Sequence, residues 1–145
     1  MKIYLDVCAI QRPLDTFDQI RIVLEAEAVL GILSLFERGI LELLSSDALV
    51  FETEQNPFPL RREHARAVLS KAREHLSLSP EVIQRAKQLT NLGLQPLDAL
   101  HLGLAETGKA DYFCPCDDRL LRKSKQIELQ VKVVSPVELI QEIEK

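Results

Sequence analysis

The sequence alternates short apolar runs with longer amphipathic segments along its whole length. The apolar runs are typical of buried strands, at residues 3–5 with a continuation through 7–10, then at 40–44, 111–114 and 131–134. The segments between them carry apolar residues at helical spacing. Because helices that connect strands in this order form right-handed crossovers, the alternation predicts a parallel sheet covered by helices on both faces.

The predicted helices have recognisable starts and stops. The longest covers residues 19–38 and ends at Gly39, a residue that favours helix termination. Ser-Pro pairs at 79–80 and 135–136 each place a capping serine before a proline in the first helical turn. The other helices are predicted at residues 48–55, 60–75, 80–92, 96–107 and 118–124, and the last begins at Pro136.

Length and composition are typical of one globular domain spanning residues 1–145. The chain has 145 residues, 46% of them apolar and 28% charged, and no linker or repeat divides it. The net charge of −4 argues against a broad basic surface for duplex DNA. Three cysteines, with neither a secretory start nor a membrane-spanning run, predict a cytoplasmic protein with free thiols.

Acidic residues follow three of the predicted strands. Asp6 ends the first strand, Asp117 comes soon after the third, and Glu52 lies in the helix after the second. Asp98 lies in the first turn of the helix that leads to the third strand. Each acid alone is equally consistent with a helix cap or a favourable helix dipole. Together they are expected at the carboxyl edge of the sheet, where ligands of open α/β sheets bind.

A cluster of carboxylates without cations repels itself, and a hard divalent cation resolves that repulsion. Mg²⁺ prefers oxygen ligands, and bound to such a cluster it can activate water and stabilise charge on a phosphodiester. The acidic cluster therefore indicates metal-assisted hydrolysis rather than thiol or serine chemistry.

Four segments carry these acids in order over nearly the whole chain. They are residues 3–6 (IYLD), 46–52 (SDALVFE), 97–102 (LDALHL), and 110–113 (ADYF) with 116–121 (CDDRLL). This order resembles the PIN-domain family, the ribonuclease fold of VapC-type toxins. The resemblance implies a three-layer α/β/α fold with a parallel sheet of four or five strands. It also implies a metal-dependent endoribonuclease that is the toxin of a toxin–antitoxin pair.

The resemblance also assigns roles to particular residues. It implies that Asp6, Glu52, Asp98 and Asp117 are catalytic, and that Asp6, Asp98 and Asp117 bind Mg²⁺ or Mn²⁺ directly or through water. Glu52 is then a further ligand or orients the attacking water. Glu27, among apolar neighbours in the longest helix, is a rival for the second acid. The implied partners are an RNA substrate, a cognate antitoxin and a second copy of the chain.

Two departures from the family pattern support an alternative function. Val7-Cys8 follows the first aspartate, where the family often has Thr or Ser and then Asn, and Cys116 replaces the usual Thr before the last aspartate. Lost hydroxyl or amide groups weaken the support of metal ligands. A PIN-fold binding or regulatory module with little nuclease activity therefore stays open. So does a DNA-directed nuclease, whereas a receiver-like domain lacks a convincing acceptor aspartate on a middle strand.

Several other residues are candidates for contact with RNA. Arg12 and Arg119 are expected near the mouth of the site, where they would bind phosphates. His101, three residues after Asp98, shares its helical face and would contact a phosphate or orient that acid, or would be a structural residue. No aromatic residue is interleaved with these cations to stack on bases, so no base preference is predicted. Arg122, Lys123 and Lys125 are further cations expected near the same mouth.

Overall fold

One parallel sheet of five strands forms the centre of the molecule. A computed structural model describes residues 1–145. The strands are β1 (Lys2–Leu5), β2 (Glu42–Ser46), β3 (Glu74–Leu76), β4 (Tyr112–Cys114) and β5 (Lys132–Val133). They are ordered β3-β2-β1-β4-β5, and every neighbouring pair is parallel. The predicted α/β/α architecture with four or five parallel strands is thereby confirmed, with five.

Eight α-helices surround the sheet. They are α1 (Val7–Gln11), α2 (Ile20–Glu37), α3 (Asp47–Glu54), α4 (Pro59–Leu69), α5 (Pro80–Asn91), α6 (Pro96–Thr107), α7 (Asp118–Ser124) and α8 (Pro136–Ile143). Most of the predicted helix ends agree with these bounds within two residues. None of the eight combines the length and apolar character that a membrane span needs.

Alternating side chains of β1 divide the core into two layers. Ile3 and Leu5 pack into one apolar cluster, and Tyr4 between them packs into the other. All three are fully buried, because β1 lies between β2 and β4 and both of its faces are covered. Burying an aliphatic side chain of this size contributes about 1.5–3 kcal/mol to stability, so β1 anchors both layers.

The first strand is shorter than the sequence predicts. The strand ends at Leu5, and its predicted continuation through residues 7–10 is instead the short helix α1. The Asp6 carboxylate accepts a hydrogen bond from the Val7 amide at 2.8 Å, and the amides of Ala9 and Ile10 return to the Asp6 carbonyl. The apolar residues after Asp6 are the buried face of this helix. The chain therefore turns at Asp6.

The predicted helix over residues 60–75 is also wrong in its second half. Helix α4 ends at Leu69, and β3 follows, with its register set by pairs such as Ser45 with His75. The Arg73 amide donates to the Leu43 carbonyl at 3.0 Å just before this strand. Because β3 is a largely exposed edge strand, its sequence is polar and shows no apolar run.

The sheet order creates a crevice beside β1. From β1 the chain adds β2 and then β3 on one side, and it then crosses to add β4 and β5 on the other. Crossovers on opposite sides leave a crevice at the carboxyl ends of β1 and β4. Asp6 follows β1 and Asp117 follows β4, so both acids flank this switch-point crevice.

Candidate metal centre

Asp6 is the most deeply buried acid of the site. Its side chain caps α1 through the Val7 amide and accepts a weak hydrogen bond from the Cys8 thiol, with Sγ 3.5 Å from Oδ2. Burial raises the pKa of Asp6, the nearby imidazole of His101 opposes that shift, and the charge of Glu52 adds to it. A carboxylate held in this way is poised to bind a cation.

Glu52 and His101 approach Asp6 from two helices. Ser46 caps α3 by accepting from the Leu49 amide at 3.1 Å, and this helix presents Glu52. His101 Nε2 lies 2.8 Å from Glu52 Oε1 and 3.8 Å from Asp6 Oδ1. One ligand atom from each of Asp6, Glu52 and His101 falls within 4.8 Å of the others.

A buried hydrogen-bonded chain fixes the imidazole of His101. The Tyr4 hydroxyl lies 2.6 Å from His101 Nδ1 and 2.7 Å from Ser46 Oγ, and the Tyr4 ring stacks on Phe113. An ionised Glu52 can only accept, so Nε2 carries the proton of the Nε2–Glu52 bond. Burial disfavours the charged imidazole, but the hydrogen bond to Glu52 and the charge of Asp6 outweigh it and raise the pKa of His101.

Asp98 and Asp117 lie near this group but outside it. Asp98 is the third residue of α6 and is half-buried. Its burial, followed by the charges of Asp6 and Asp117, raises its pKa from the ordinary 3.8 to about 6. Asp117 is exposed and caps α7 by accepting from the Arg119 amide at 2.9 Å. All four predicted acids therefore belong to one electrostatic neighbourhood at the carboxyl edge of the sheet.

Neither Glu27, the rival for the second acid, nor Glu54 lies with Asp6. Glu27 is exposed on α2, whereas Glu52 lies beside Asp6. Glu54, two residues after Glu52, is on the other side of α3 and pairs with Arg66 at 2.6 Å. Two residues along a helix correspond to about 200°, which explains why only Glu52 faces the crevice.

The two arginines proposed to bind RNA differ in their surroundings. Arg12 forms ion pairs with Asp15 at 2.9 Å and with the buried Glu25 at 3.1 Å. Its guanidinium is therefore largely committed within the protein. Arg119 is exposed in the first turn of α7, next to Asp117. Of the two predicted phosphate contacts, Arg119 is the more accessible.

A clamp from α2 holds the segment that carries Asp117, and sequence analysis did not identify it. Arg21 donates to the Cys116 carbonyl at 2.7 Å and to Asp118 at 2.5 Å. The buried Glu25 lies 3.5 Å from the same guanidinium and also pairs with Arg12. Glu25 and Glu27 both have apolar neighbours in α2, and only Glu25 is buried, so helical phase is the sequence signal that separates them.

The donor set fits a hard divalent cation. Carboxylate oxygens predominate, and these are the ligands that Mg²⁺ and Mn²⁺ prefer. The imidazole of His101 is not a free donor, because its two nitrogens are hydrogen-bonded to Glu52 and Tyr4. The raised pKa of Asp98 reflects in part the repulsion that such a cation would relieve. Asp6 and Glu52 bring carboxylate oxygens together here, and Asp98 and Asp117 add further carboxylates nearby.

Two solved structures resemble this chain over nearly its whole length. One is VapBC2 from Rickettsia felis bound to a DNA fragment from its promoter, with a TM-score of 0.55, 13% identity, and 93% of this chain and 98% of that chain covered. The other is PAE2754 from Pyrobaculum aerophilum, with a TM-score of 0.55, 18% identity, and coverage of 99% and 98%. The fold is PIN-like.

The likeness to these structures concerns the fold, because the identities are low. No protein-family model matches the sequence. A search of curated proteins also finds no match. The activity of this PIN-like chain must therefore be argued from its own residues.

Removing the Tyr4 hydroxyl tests the buried chain. We expect Tyr4→Phe to lower the free energy of unfolding by about 1–3 kcal/mol, because it leaves the buried Nδ1 of His101 without a partner and removes one of the two hydrogen bonds of Ser46 Oγ. Tyr112→Phe is the matched control, since the Tyr112 hydroxyl makes only a 3.4 Å contact with Glu142. Urea denaturation of both variants measures the effect. Equal losses would contradict a special role for the Tyr4 hydroxyl.

Asp98 predicts a pH-dependent difference in stability. An acid whose pKa rises on folding lowers the stability of the folded state once it ionises in the unfolded state. This loss of stability grows as pH rises from about 4 to about 6. We expect metal-free Asp98→Asn to exceed the parent in stability by roughly 1 kcal/mol near pH 7, after allowance for solvent screening. Urea unfolding near pH 4 should show little difference. A pH-independent difference would contradict the raised pKa.

Proposed function

We propose that this chain is a metal-dependent endoribonuclease of the PIN type. The observation that carries the proposal is the convergence of Asp6, Glu52 and His101 within 4.8 Å at the switch-point crevice. Asp98, whose pKa is raised to about 6 by burial and by neighbouring acids, adds a further carboxylate beside them. Concentrated acids with only one imidazole among them are costly unless a cation is bound, which argues for a functional site.

The residues would divide the work of phosphodiester hydrolysis. Asp6, Asp98 and Asp117 would hold Mg²⁺ or Mn²⁺, which supplies charge stabilisation at the phosphate and lowers the pKa of water. His101 binds only Oε1 of Glu52, so Oε2 is free to orient the attacking water and accept its proton. The side chain of Glu52 is 33% exposed, so water can reach it.

The proposed biological role is that of the toxin in a toxin–antitoxin pair. Its support is the PIN-like fold together with the similarity to VapBC2, which was solved bound to a DNA fragment from its promoter. We propose a cognate antitoxin protein as partner, a homodimer as the assembly, RNA as substrate and the cytoplasm as location. The lack of a helix able to span a membrane accords with this role.

A binding or regulatory module of the same fold is the second candidate. The observation that favours it is the presence of Cys8 and Cys116 at positions where PIN domains often carry amide or hydroxyl groups. Cys8 donates to Asp6 only at 3.5 Å, a weaker contact than an amide would make. Metal binding without cleavage would favour this candidate over the nuclease.

RNA cleavage by the parent and by Asp98→Asn separates the nuclease from the binding module. With Mg²⁺ or Mn²⁺ present, we expect the parent to cleave mixed single-stranded RNA and Asp98→Asn to lose about 10–100-fold in rate, the range typical for groups that support a metal site. Glu27→Gln is the control, because it removes one negative charge from the exposed face of α2. Cleavage is followed on gels, alongside DNA of the same sequence.

The contrary outcomes are distinct. Unchanged cleavage by Asp98→Asn would exclude the four-acid mechanism. A parent that Mn²⁺ stabilises against heat, as a ligand of the folded state should, but that cleaves no RNA would be a binding module. Cleavage of DNA alone would replace RNA as the substrate.

Arg119 provides a separate test of the RNA contact. We expect Arg119→Ala to raise KM several-fold with little change in kcat, and to reduce the slope of log affinity against log salt by about 0.7 for one lost phosphate contact. Arg38→Ala is the control, because Arg38 is exposed at the end of α2, just before the amino end of β2 and therefore at the edge of the sheet away from the crevice. Fluorescence anisotropy with labelled RNA measures the slope. Equal effects of both variants would contradict a local contact.

A further inference from the structure

Two cysteines meet at the switch-point crevice. Cys8 lies in α1 just after β1, and Cys116 lies just after β4, the neighbouring parallel strand. The Cys116 amide donates to Cys8 Sγ at 3.3 Å, so the Cys8 sulfur lies directly against the backbone of Cys116. Both cysteines occupy departures from the PIN pattern, and the structure shows that these two departures contact each other.

Their surroundings distinguish them from the third cysteine. Cys8 is half-buried and Cys116 is almost fully buried, so Cys8 is the residue of the pair that a small oxidant would meet first. The Arg21 guanidinium holds the Cys116 carbonyl at 2.7 Å and so fixes this segment against α2. Cys114, in β4, is completely buried in the apolar core.

We propose that Cys8 and Cys116 are a redox modification site, in which peroxides oxidise the two thiols to a reversible Cys8–Cys116 disulfide. One hydrogen peroxide takes two electrons from the two thiols. Both S–H bonds and the O–O bond break, the S–S bond forms, and two waters leave. A dithiol reductant reverses the step by thiol–disulfide exchange. The site needs no residue beyond the two that already touch.

The disulfide would act on the metal centre through its two neighbours. In the reduced protein the Cys8 thiol donates to Oδ2 of the buried Asp6. Oxidation removes this donor and ties the segment after Asp6 to the residue before Asp117. Oxidised protein should therefore bind divalent cations more weakly. This consequence rests on the proposed function, whereas formation of the disulfide does not.

Mass spectrometry of the full chain tests the modification. After treatment with hydrogen peroxide and denaturing alkylation with N-ethylmaleimide, the parent should carry one adduct, on Cys114, and the reduced parent three, one on each cysteine. Peptide mapping should recover a Cys8–Cys116 cross-link that dithiothreitol removes. Cys8→Ser should abolish the cross-link, and Cys114→Ala should retain it. A cross-link through Cys114, a link between two molecules, or stable sulfinic acid on Cys8 would overturn the proposal.

Thermal melting with Mn²⁺ tests the consequence. We expect the Mn²⁺-induced rise in melting temperature to fall by at least half on oxidation and to return with dithiothreitol. Cys8→Ser, which keeps a hydroxyl donor toward Asp6, should be insensitive to peroxide. An equal Mn²⁺ effect in oxidised and reduced parent would overturn the coupling. No Mn²⁺ effect in reduced parent would count against the proposed nuclease and leave the disulfide intact.

Discussion

The buried carboxylate of Asp6 is the constraint around which the rest of the site is arranged. It lies where the winding of the sheet reverses, and it is only 7% exposed. Its charge there is offset by the Val7 amide and by the imidazole of His101. Helices α3 and α6 then bring the further acids Glu52 and Asp98 toward it, and His101 is the one base among them. A cation that entered the crevice would relieve the repulsion among these carboxylates.

His101 links this acidic crevice to the hydrophobic core. One ring nitrogen faces Glu52, and the other meets the Tyr4 hydroxyl inside the core layer that contains Phe113. Because Tyr4 belongs to the central strand, its position depends on the packing of the whole sheet. The orientation of the His101 imidazole at the crevice is therefore set by residues that are buried in the core.

Much of the fold could be predicted from the sequence because apolar periodicity reports burial. The long helix α2 and the cap-and-proline starts of α5 and α8 are confirmed nearly to the residue. The edge strand β3 was missed because a strand with little burial carries no apolar pattern. Helix α1 was taken for strand because five residues are too few to separate the two periods.

In the candidate site, too, the local sequence pattern predicts some features, whereas others depend on contacts between distant residues. The positions of Asp6, Asp98 and Asp117 could be predicted because strand ends and helix starts locate them, whereas Glu52, inside α3, was assigned through the family resemblance. The Tyr4–His101 bond and the Arg21 clamp could not, since they join residues about a hundred positions apart through side-chain directions. Glu27 was a plausible rival only until helical phase placed it on the exposed face of α2.

The two edges of the sheet limit how another chain can associate with it. One edge, β3, has three residues, and the other, β5, has two. A peptide that added itself as a further strand would therefore gain very few backbone hydrogen bonds. Short edges also protect the molecule from stacking into extended β-assemblies. Recognition of this protein by other proteins thus falls to its helices, whose exposed side chains, rather than its backbone, must carry the specificity.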